Sequence, residues 1–352
     1  WLKLGSRNWV LGASAAAAAA APNANMPNGP SRQSREHSPP RGVAVIAFRR
    51  ACRDMVRLAD AWMDCSVRSV NIFLKILGPC LICVALSLIG FVTYTFFIYV
   101  LPELEAAGVA GQGGLSATGL FLLTNTLYNY WKSICTDPGL PPEFEKVELD
   151  AEAEELAEQP PRRQCGKCGR LKPPRAHHCS VCRRCVLKMD HHCPWINNCV
   201  GFKNYRNFCL FMLFLAASCV FIIVVFLESF SDFLFYFRRR RGWSRTMRSC
   251  IMTSFMLCCS ILVALCILGG FHVYLVLTNQ TTIEFQTNIM RRKEARKNGE
   301  YFRNPYDLGR TRNFQQVFGP NPFCRARWLL SWLAPPPSGD GLQFPSLTCR
   351  RI

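Results

Sequence analysis

The stretch that decides the fold runs from Cys165 to Cys199 and reads CGKCGRLKPPRAHHCSVCRRCVLKMDHHCPWINNC. It holds seven of the chain's 20 cysteines and four of its six histidines. Disulfide scaffolds are short secreted chains whose cysteines spread through many loops, so this clustering argues against one. Cysteine thiolates and histidine nitrogens in closely spaced pairs are the ligands that zinc prefers, and the stretch therefore predicts a zinc-binding domain.

The number of potential ligands in this stretch exceeds what zinc alone requires. Two closed tetrahedral sites need about eight ligands, whereas seven cysteines and four histidines supply eleven. Spacing leaves open which three are spare, because Cys165, Cys168, Cys182 and Cys185 could form a four-cysteine site by themselves. The surplus predicts a further role for some of these side chains.

Composition and hydrophobic runs indicate a membrane protein. The 352 residues are 50% hydrophobic, with a mean hydropathy of +0.09, yet they carry 42 Lys and Arg and a net charge of +19. Four runs reach the length of about 20 residues that a helix needs to cross a bilayer. They are Ile76 to Leu101, Leu115 to Ile134, Phe208 to Leu227 and Cys250 to Thr278. Polar residues interrupt the second run, so we expect it to face other helices rather than lipid.

Charge predicts the orientation of these spans. An even number of spans puts both chain ends on one side, and the arginine-rich stretch Arg49 to Arg68 before the first span favours the cytosol. The cysteine-rich stretch, between the second and third spans, is then cytosolic as well. The run Arg238 to Arg241 disagrees, because this topology places it in the lumen.

The predicted fold is an α-helical integral membrane protein with four transmembrane helices and a cytosolic cysteine-rich domain that binds two zinc ions. The predicted organisation has seven parts. They are a disordered low-complexity tail at 1–42, a cytosolic amphipathic segment at 43–74, transmembrane helices 1 and 2 at 75–135, an acidic linker at 136–164, the cysteine-rich zinc domain at 165–207, transmembrane helices 3 and 4 at 208–278, and a cytosolic C-terminal region at 279–352.

Five short motifs carry a resemblance to a known family. They are TDPG at 136–139, DHHCPW at 190–195, NNCVG at 197–201, TTIE at 281–284 and NPYD at 304–307. Over roughly residues 75 to 319 the chain resembles the DHHC protein S-palmitoyltransferases. Within that family it looks most like the animal Abl-philin branch, on the LKM at 187–189 and the YFR at 301–303.

The resemblance implies a role for each residue of the cluster. Cys193 is the nucleophile, His191 its general base and Asp190 the group that orients the histidine. The implied metal ligands are Cys165, Cys168, His178 and Cys185 for one zinc, and Cys179, Cys182, His192 and Cys199 for the other. His177 is left without a role. Thr282 is expected to support Asp190, and Asn313 to brace the C-terminal segment.

The implied reaction is a two-step acyl transfer with palmitoyl-CoA as donor. Cys193 takes the acyl group and passes it to a cysteine of a membrane or membrane-associated protein. The CoA phosphates are expected near Lys172, Arg175 and Lys188. The family's usual locations, the endoplasmic reticulum and the Golgi, follow by analogy, with the active site facing the cytosol.

Two other functions compete with this interpretation. A zinc-finger nucleic-acid binder would account for the charge and for the Cys-x2-Cys spacing, but four spanning runs argue against it, and we expect no nucleic-acid partner. A membrane scaffold that binds zinc without catalysis is the main alternative. The intact set of Asp190, His191 and Cys193 argues against that scaffold.

Overall fold

The computed structural model describes residues 41–106, 108, 111–142, 164–235, 244–319, 337 and 339–347. The predicted tail at 1–42 lies outside these residues except for its last two. Most of the acidic linker and the run Arg238 to Arg241 lie outside them as well. The chain divides into two compact units, Trp1–Ala61 and Trp62–Ile352, and the described part of the first is the beginning of one helix.

Long helices make up most of the described chain. The first, α1, spans Arg41–Tyr94 and is followed by a π-helical turn at Thr95–Val100 and the short α2 at Leu101–Ala106. The others are α3 at Gln112–Cys135, α4 at Tyr205–Phe235 and α5 at Arg245–Leu277. Three stretches are long and apolar enough to cross a membrane, namely Arg49–Ala106, Tyr205–Glu228 and Arg245–Leu277. The protein is therefore a helical membrane protein.

The second predicted span differs from the other three, so the predicted count of four is not established. Helix α3 covers it, but α3 is not among the three described helices that meet the length and apolarity of a span. Its polar residues Asn125, Thr126 and Asn129 are buried. Thr126 Oγ1 lies 3.3 Å from Ser218 Oγ on α4, and Asn207 of α4 donates to Asn129 Oδ1 at 3.3 Å. These residues face a neighbouring helix, because lipid offers them no hydrogen bond.

Two small β-hairpins form the cysteine-rich domain. Strand β1 at His177–Cys179 pairs with β2 at Arg184–Val186, and β3 at His191–Cys193 pairs with β4 at Asn198–Val200. Both hairpins are antiparallel, and in each a histidine faces a cysteine at the centre of the pairing, His178 opposite Cys185 and His192 opposite Cys199. A 3₁₀ turn at Pro194–Ile196 lies between β3 and β4.

The second hairpin is tied to the end of α3. The Asn198 side-chain amide lies 3.0 to 3.3 Å from the carbonyl oxygens of Ser133, Ile134 and Thr136, which helix termination leaves without backbone donors. The following Gly201 sits against the rest of the domain so closely that a Cβ there would lie 2.6 Å from Val186 and 2.9 Å from the Pro138 carbonyl. The domain therefore has a defined position on α3.

The C-terminal region closes over the same domain. Helix α6 at Thr282–Lys297 follows α5 after a short turn, and α7 at Arg310–Phe318 follows α6. The Asn313 amide donates to the Leu277 carbonyl at 2.8 Å and to Asp307 Oδ1 at 2.6 Å, and thus joins α7 to the end of α5. The role of Asn313 in bracing the C-terminal segment stays a prediction.

Candidate active site and metal centres

Two groups of four side chains in the cysteine-rich domain could each hold a metal ion. In each group the four ligand atoms lie within 4.8 Å of one another. The first group is Cys165, Cys168, His178 and Cys185, and the second is Cys179, Cys182, His192 and Cys199. The structure thus brings together the two interleaved sets that the resemblance implied.

Strand geometry explains why neighbouring residues serve different groups. Successive side chains of a β-strand point to opposite faces, so on β1 His178 joins the first group while Cys179 joins the second. The same alternation on β3 directs His192 into the second group and leaves His191 and Cys193 on the opposite face. Alternation, which spacing alone could not reveal, therefore decides which side chains are spare.

The distances within the groups suit a tetrahedral metal. A tetrahedron with metal–sulfur bonds of about 2.3 Å has edges of about 3.8 Å. Cys168 Sγ lies 3.5 Å from Cys185 Sγ, and Cys182 Sγ lies 3.5 Å from Cys199 Sγ. The histidine Nδ1 atoms lie 3.4 to 3.9 Å from sulfur atoms of their groups. All eight side chains use soft or borderline donors, so the residues present fit zinc.

His191 and Cys193, the spare side chains of β3, lie together with Asp190, the residue before the strand. Asp190 Oδ2 lies 2.7 Å from His191 Nδ1, and the side chain of Cys193 is near enough to the His191 ring to help raise its pKa. Asp190 and Cys193 are buried, at 1% and 7% exposure, while a quarter of the His191 side chain is exposed. This is the order of contacts that a thiol nucleophile, a base and an orienting carboxylate require.

Helix α6 holds the carboxylate of Asp190. Thr282, its first residue, donates its backbone N–H to Asp190 Oδ1 at 2.9 Å and its hydroxyl to Oδ2 at 2.8 Å. A capping box formed by Thr281 and Glu284 fixes this helix start, and the positive end of a helix dipole favours a negative charge there. Thr282 thus makes two hydrogen bonds to Asp190, and its supporting role in the reaction stays a prediction.

These contacts shift the pKa values of both groups. Burial alone would lower the pKa of His191, but hydrogen bonds and charges from Asp190 and Cys193 outweigh it and raise that pKa to about 9. Burial alone would raise the pKa of Asp190, but His191 and the Thr282 N–H lower it on balance. Asp190 is therefore a carboxylate at neutral pH and stabilises a protonated His191.

Arg175 is buried at a junction between the cysteine-rich domain and α6. Its guanidinium donates two hydrogen bonds of 2.7 Å to the Glu284 carboxylate. It also donates to the carbonyl and side-chain oxygens of Asn279, each at 3.1 Å. The Tyr306 ring lies 4.3 Å from the guanidinium carbon. These partners give Arg175 a packing role beside Glu284. Its predicted contact with CoA stays a prediction.

The other two predicted CoA contacts are both half-buried lysines. Lys188 is half-buried, with its ammonium 5.6 Å from the centre of the Phe344 ring of the C-terminal segment. Lys172 is half-buried as well, and its charge, with burial, lowers the pKa of His177. Both contacts stay predictions.

The sequence interpretation missed one residue of this site. His272 of α5 is buried at 3% exposure, and one of its ring nitrogens lies within 4.8 Å of ligand atoms of Asp190 and His191. The signal was visible as an ionisable residue within an otherwise apolar spanning run, which is costly unless it has a partner.

Known proteins resemble this chain in the same region. The family model of the DHHC palmitoyltransferases matches residues 158–289. The chain is 34% identical over 281 residues to "Probable protein S-acyltransferase 16" of Arabidopsis thaliana, an alignment that covers 74% of this chain and 90% of the relative. The chain belongs to the DHHC palmitoyltransferase family. It is therefore a protein S-acyltransferase.

Two further relatives of this acyltransferase come from a plant and an animal. "Probable protein S-acyltransferase 12" of Arabidopsis thaliana is 34% identical over 298 residues, covering 79% of this chain and 96% of the relative. "Palmitoyltransferase ZDHHC15" of Rattus norvegicus is 34% identical over 244 residues, covering 62% of this chain and 67% of the relative. The narrower likeness to the Abl-philin branch stays a prediction.

Proposed function

We propose that this acyltransferase works by a ping-pong mechanism in which Cys193 carries the acyl group between palmitoyl-CoA and a protein cysteine. The observation that carries the proposal is the contact chain from Asp190 through His191 to Cys193 beside a membrane-embedded helix pair. The other cysteines of the two hairpins each belong to a metal group, whereas Cys193 belongs to neither.

In the first half-reaction the Cys193 thiol gives its proton to His191 Nε2, since Nδ1 is bonded to Asp190. The thiolate attacks the thioester carbonyl carbon of palmitoyl-CoA. The carbon–sulfur bond to CoA then breaks, and the CoA thiolate leaves and takes the proton from His191. The products are free CoA and an acyl-enzyme with a new thioester at Cys193.

In the second half-reaction a substrate cysteine replaces CoA. Its thiol gives a proton to His191, and the resulting thiolate attacks the Cys193 thioester. Cys193 leaves as a thiolate and recovers its proton from His191. One thioester replaces another in each step, so the reaction needs no further energy source.

The two cysteine and histidine groups are proposed to hold two structural zinc ions. Support comes from their spacing and from the small size of the two hairpins, each of two strands of three residues, which a bound metal would stabilise directly. Metal at Cys199 and His192 would fix the strands that carry Cys193 and His191. The proposed role of the metal is thus to hold the domain together.

Palmitoyl-CoA as donor requires that a lipid tail and a water-soluble head meet at Cys193. Cys193 packs with Tyr130 of α3 and Phe208, Phe211 and Met212 of α4, an apolar surface on the membrane side of the triad. Burial of the acyl chain is worth roughly 0.8 kcal/mol per CH₂. We propose that α3 is the fourth span and that the triad faces the cytosol, with an endoplasmic reticulum or Golgi location.

The partners proposed on the same grounds are cysteine-containing membrane proteins, whose thiols lie at the same depth as Cys193. The domain limits proposed for the chain are those predicted from its sequence. For the contact with a CoA phosphate we propose Lys172, which is half-buried.

The test is the formation of the acyl-enzyme. The full-length protein, purified in detergent, is incubated with labelled palmitoyl-CoA, and hydroxylamine-sensitive label is measured on the wild type and on Cys193→Ser. We expect label on the wild type and none on the variant. A zinc-loaded wild type that takes up no label would overturn the mechanism and favour the scaffold without catalysis.

A further inference from the structure

His272 of α5 is a second histidine in contact with the triad. Its ring centre lies 5.9 Å from that of His191, with the two rings tilted by 45°. A ring nitrogen of His272 also lies within 4.8 Å of the ligand atoms of Asp190 and His191. The imidazole that must exchange protons with Cys193 therefore has another imidazole beside it.

The position of His272 in the membrane helix calls for a function. From Cys250 to Leu277, His272 is the only histidine, lysine, arginine or carboxylate of α5. An ionisable side chain in such a helix costs free energy and is usually retained for a specific role. His272 is buried rather than directed to solvent, so a solvated surface position does not account for it.

The neighbours of His272 fix its ring. Its Nδ1 lies 3.2 Å from the hydroxyl oxygen of Tyr205 on α4. The Phe208 ring packs edge-on against His272 at 5.2 Å and against His191 at 5.5 Å, so both imidazoles share one aromatic wall. Because Tyr205 engages Nδ1, Nε2 is the nitrogen that can serve the Asp190–His191 pair.

We propose that His272 is a positioning residue for acyl transfer, which holds the His191 imidazole in line between Asp190 and Cys193. The inference rests on the proposed roles of Cys193 and His191. His272 takes up no proton in either half-reaction, since His191 alone balances both steps. Its contribution is to restrict the rotation of a ring whose side chain is a quarter exposed.

The test uses three substitutions that separate the two ring nitrogens. His272→Phe keeps a ring without nitrogen, His272→Asn keeps a polar atom near Nδ1, and His272→Gln keeps one near Nε2. The initial rate of acyl-enzyme formation is measured in the full-length protein over a range of palmitoyl-CoA concentrations. We expect His272→Phe to lower the maximal rate by about 10-fold or more, with the half-saturating concentration unchanged. His272→Gln should retain more activity than His272→Asn.

Two control variants accompany these substitutions. Tyr205→Phe removes only the hydroxyl that holds Nδ1, and we expect a smaller loss of maximal rate than in His272→Phe. When both changes are combined, the losses should be less than multiplicative, because the two groups act through one contact. Phe255→Leu alters a buried residue of α5 that packs on Phe230, away from the triad, and should leave the rate unchanged.

Two outcomes would overturn the proposal. The first is a wild-type maximal rate in His272→Phe. The second is an equal loss in all three His272 variants together with loss of bound zinc, which would mean that His272 supports only the fold. Failure of the underlying mechanism is distinguishable, because it would appear with His272 intact, as a zinc-loaded wild type without label or as label on Cys193→Ser.

Discussion

The two hairpins of the cysteine-rich domain repeat one pattern with different results. The first, from Ala176 to Val186, reads AHHCSVCRRCV, and the second, from Asp190 to Val200, reads DHHCPWINNCV. Their strands pair in the same register, with the second histidine opposite a cysteine. In the first hairpin His178, Cys179, Cys182 and Cys185 serve the two metal groups, whereas the second supplies His192 and Cys199 to one group and also carries Asp190, His191 and Cys193.

Three equivalent positions account for the difference. Ala176 stands where the second hairpin has Asp190, so His177 lacks the carboxylate that His191 has. Cys179 is equivalent to Cys193 but belongs to a metal group with Cys182, whose equivalent is Ile196. The hairpin by itself is thus a ligand holder. It becomes a reactive site only where an unligated cysteine meets a supported histidine.

The largest expected contrast is between the two equivalent cysteines. Cys193→Ser should abolish hydroxylamine-sensitive labelling and leave the zinc content unchanged, because Cys193 belongs to neither metal group. Cys179→Ser should lower the zinc content as well as the labelling, since it removes a metal ligand. Label and zinc are measured on the same purified samples. Zinc loss in Cys193→Ser would contradict the assignment of Cys193 as unligated.

The next contrast makes the second hairpin resemble the first at its leading position. Asp190→Ala should lower the maximal rate of acyl-enzyme formation by roughly 10²- to 10⁴-fold, because His191 loses its orienting partner. Ala176→Ser, a small change at the equivalent position, serves as the control and should leave the rate unchanged. A nearly wild-type rate in Asp190→Ala would show that Asp190 has no part in activating His191.

The pH dependence should reveal the same partner. With Asp190 present the pKa of His191 is about 9, so His191 keeps its proton up to about that pH. In Asp190→Asn the negative charge of Asp190 that raises the pKa of His191 is gone, while burial still lowers that pKa. We expect the alkaline limb of acyl-enzyme formation to move to lower pH. A limb at the same pH in both proteins would contradict a pKa raised by Asp190.

The smallest expected effects concern Asn198, which pairs with Cys193 across the strands, and Arg184, which pairs with Cys179. Asn198→Ala removes the donor to three carbonyl oxygens at the end of α3, and should cost roughly 1–3 kcal/mol of stability. Arg184→Ala breaks an ion pair of 2.7 Å with Asp137 whose side chains are 35% and 47% exposed, so the cost should be below about 1 kcal/mol. Thermal unfolding in detergent measures both. Equal shifts would mean that the two hairpins are held to α3 alike.

Much of the fold could be predicted from local patterns. Apolar runs located α4 and α5 to within a few residues, because hydropathy is a property of a single segment. The run Leu115 to Ile134 also located α3 at Gln112–Cys135, but its polar residues keep α3 below the apolarity of the three candidate spans. The Asn125 and Asn129 amides donate to the backbone of α3, and Asn207 of α4 donates to Asn129 Oδ1; the hydropathy of one segment cannot include a partner on another helix.

The candidate site divides in the same way. The motif Asp190 to Cys193 and the metal-ligand pairs stand close together in the chain, so spacing and resemblance were enough to name them. The repeat of AHHC and DHHC was also present in the sequence, but its meaning depends on strand alternation and on which cysteines follow.

The sequence by itself determined that the chain is helical, that it is embedded in a membrane and that its cysteines and histidines gather in one domain, because these features depend on composition and short spacings. The resemblance named the two ligand sets and Thr282, and the tertiary structure brings these residues together; only the tertiary structure placed His272 beside His191. Those contacts join residues far apart in the chain. They exist only after the helices and hairpins have packed together, so no local pattern encodes them.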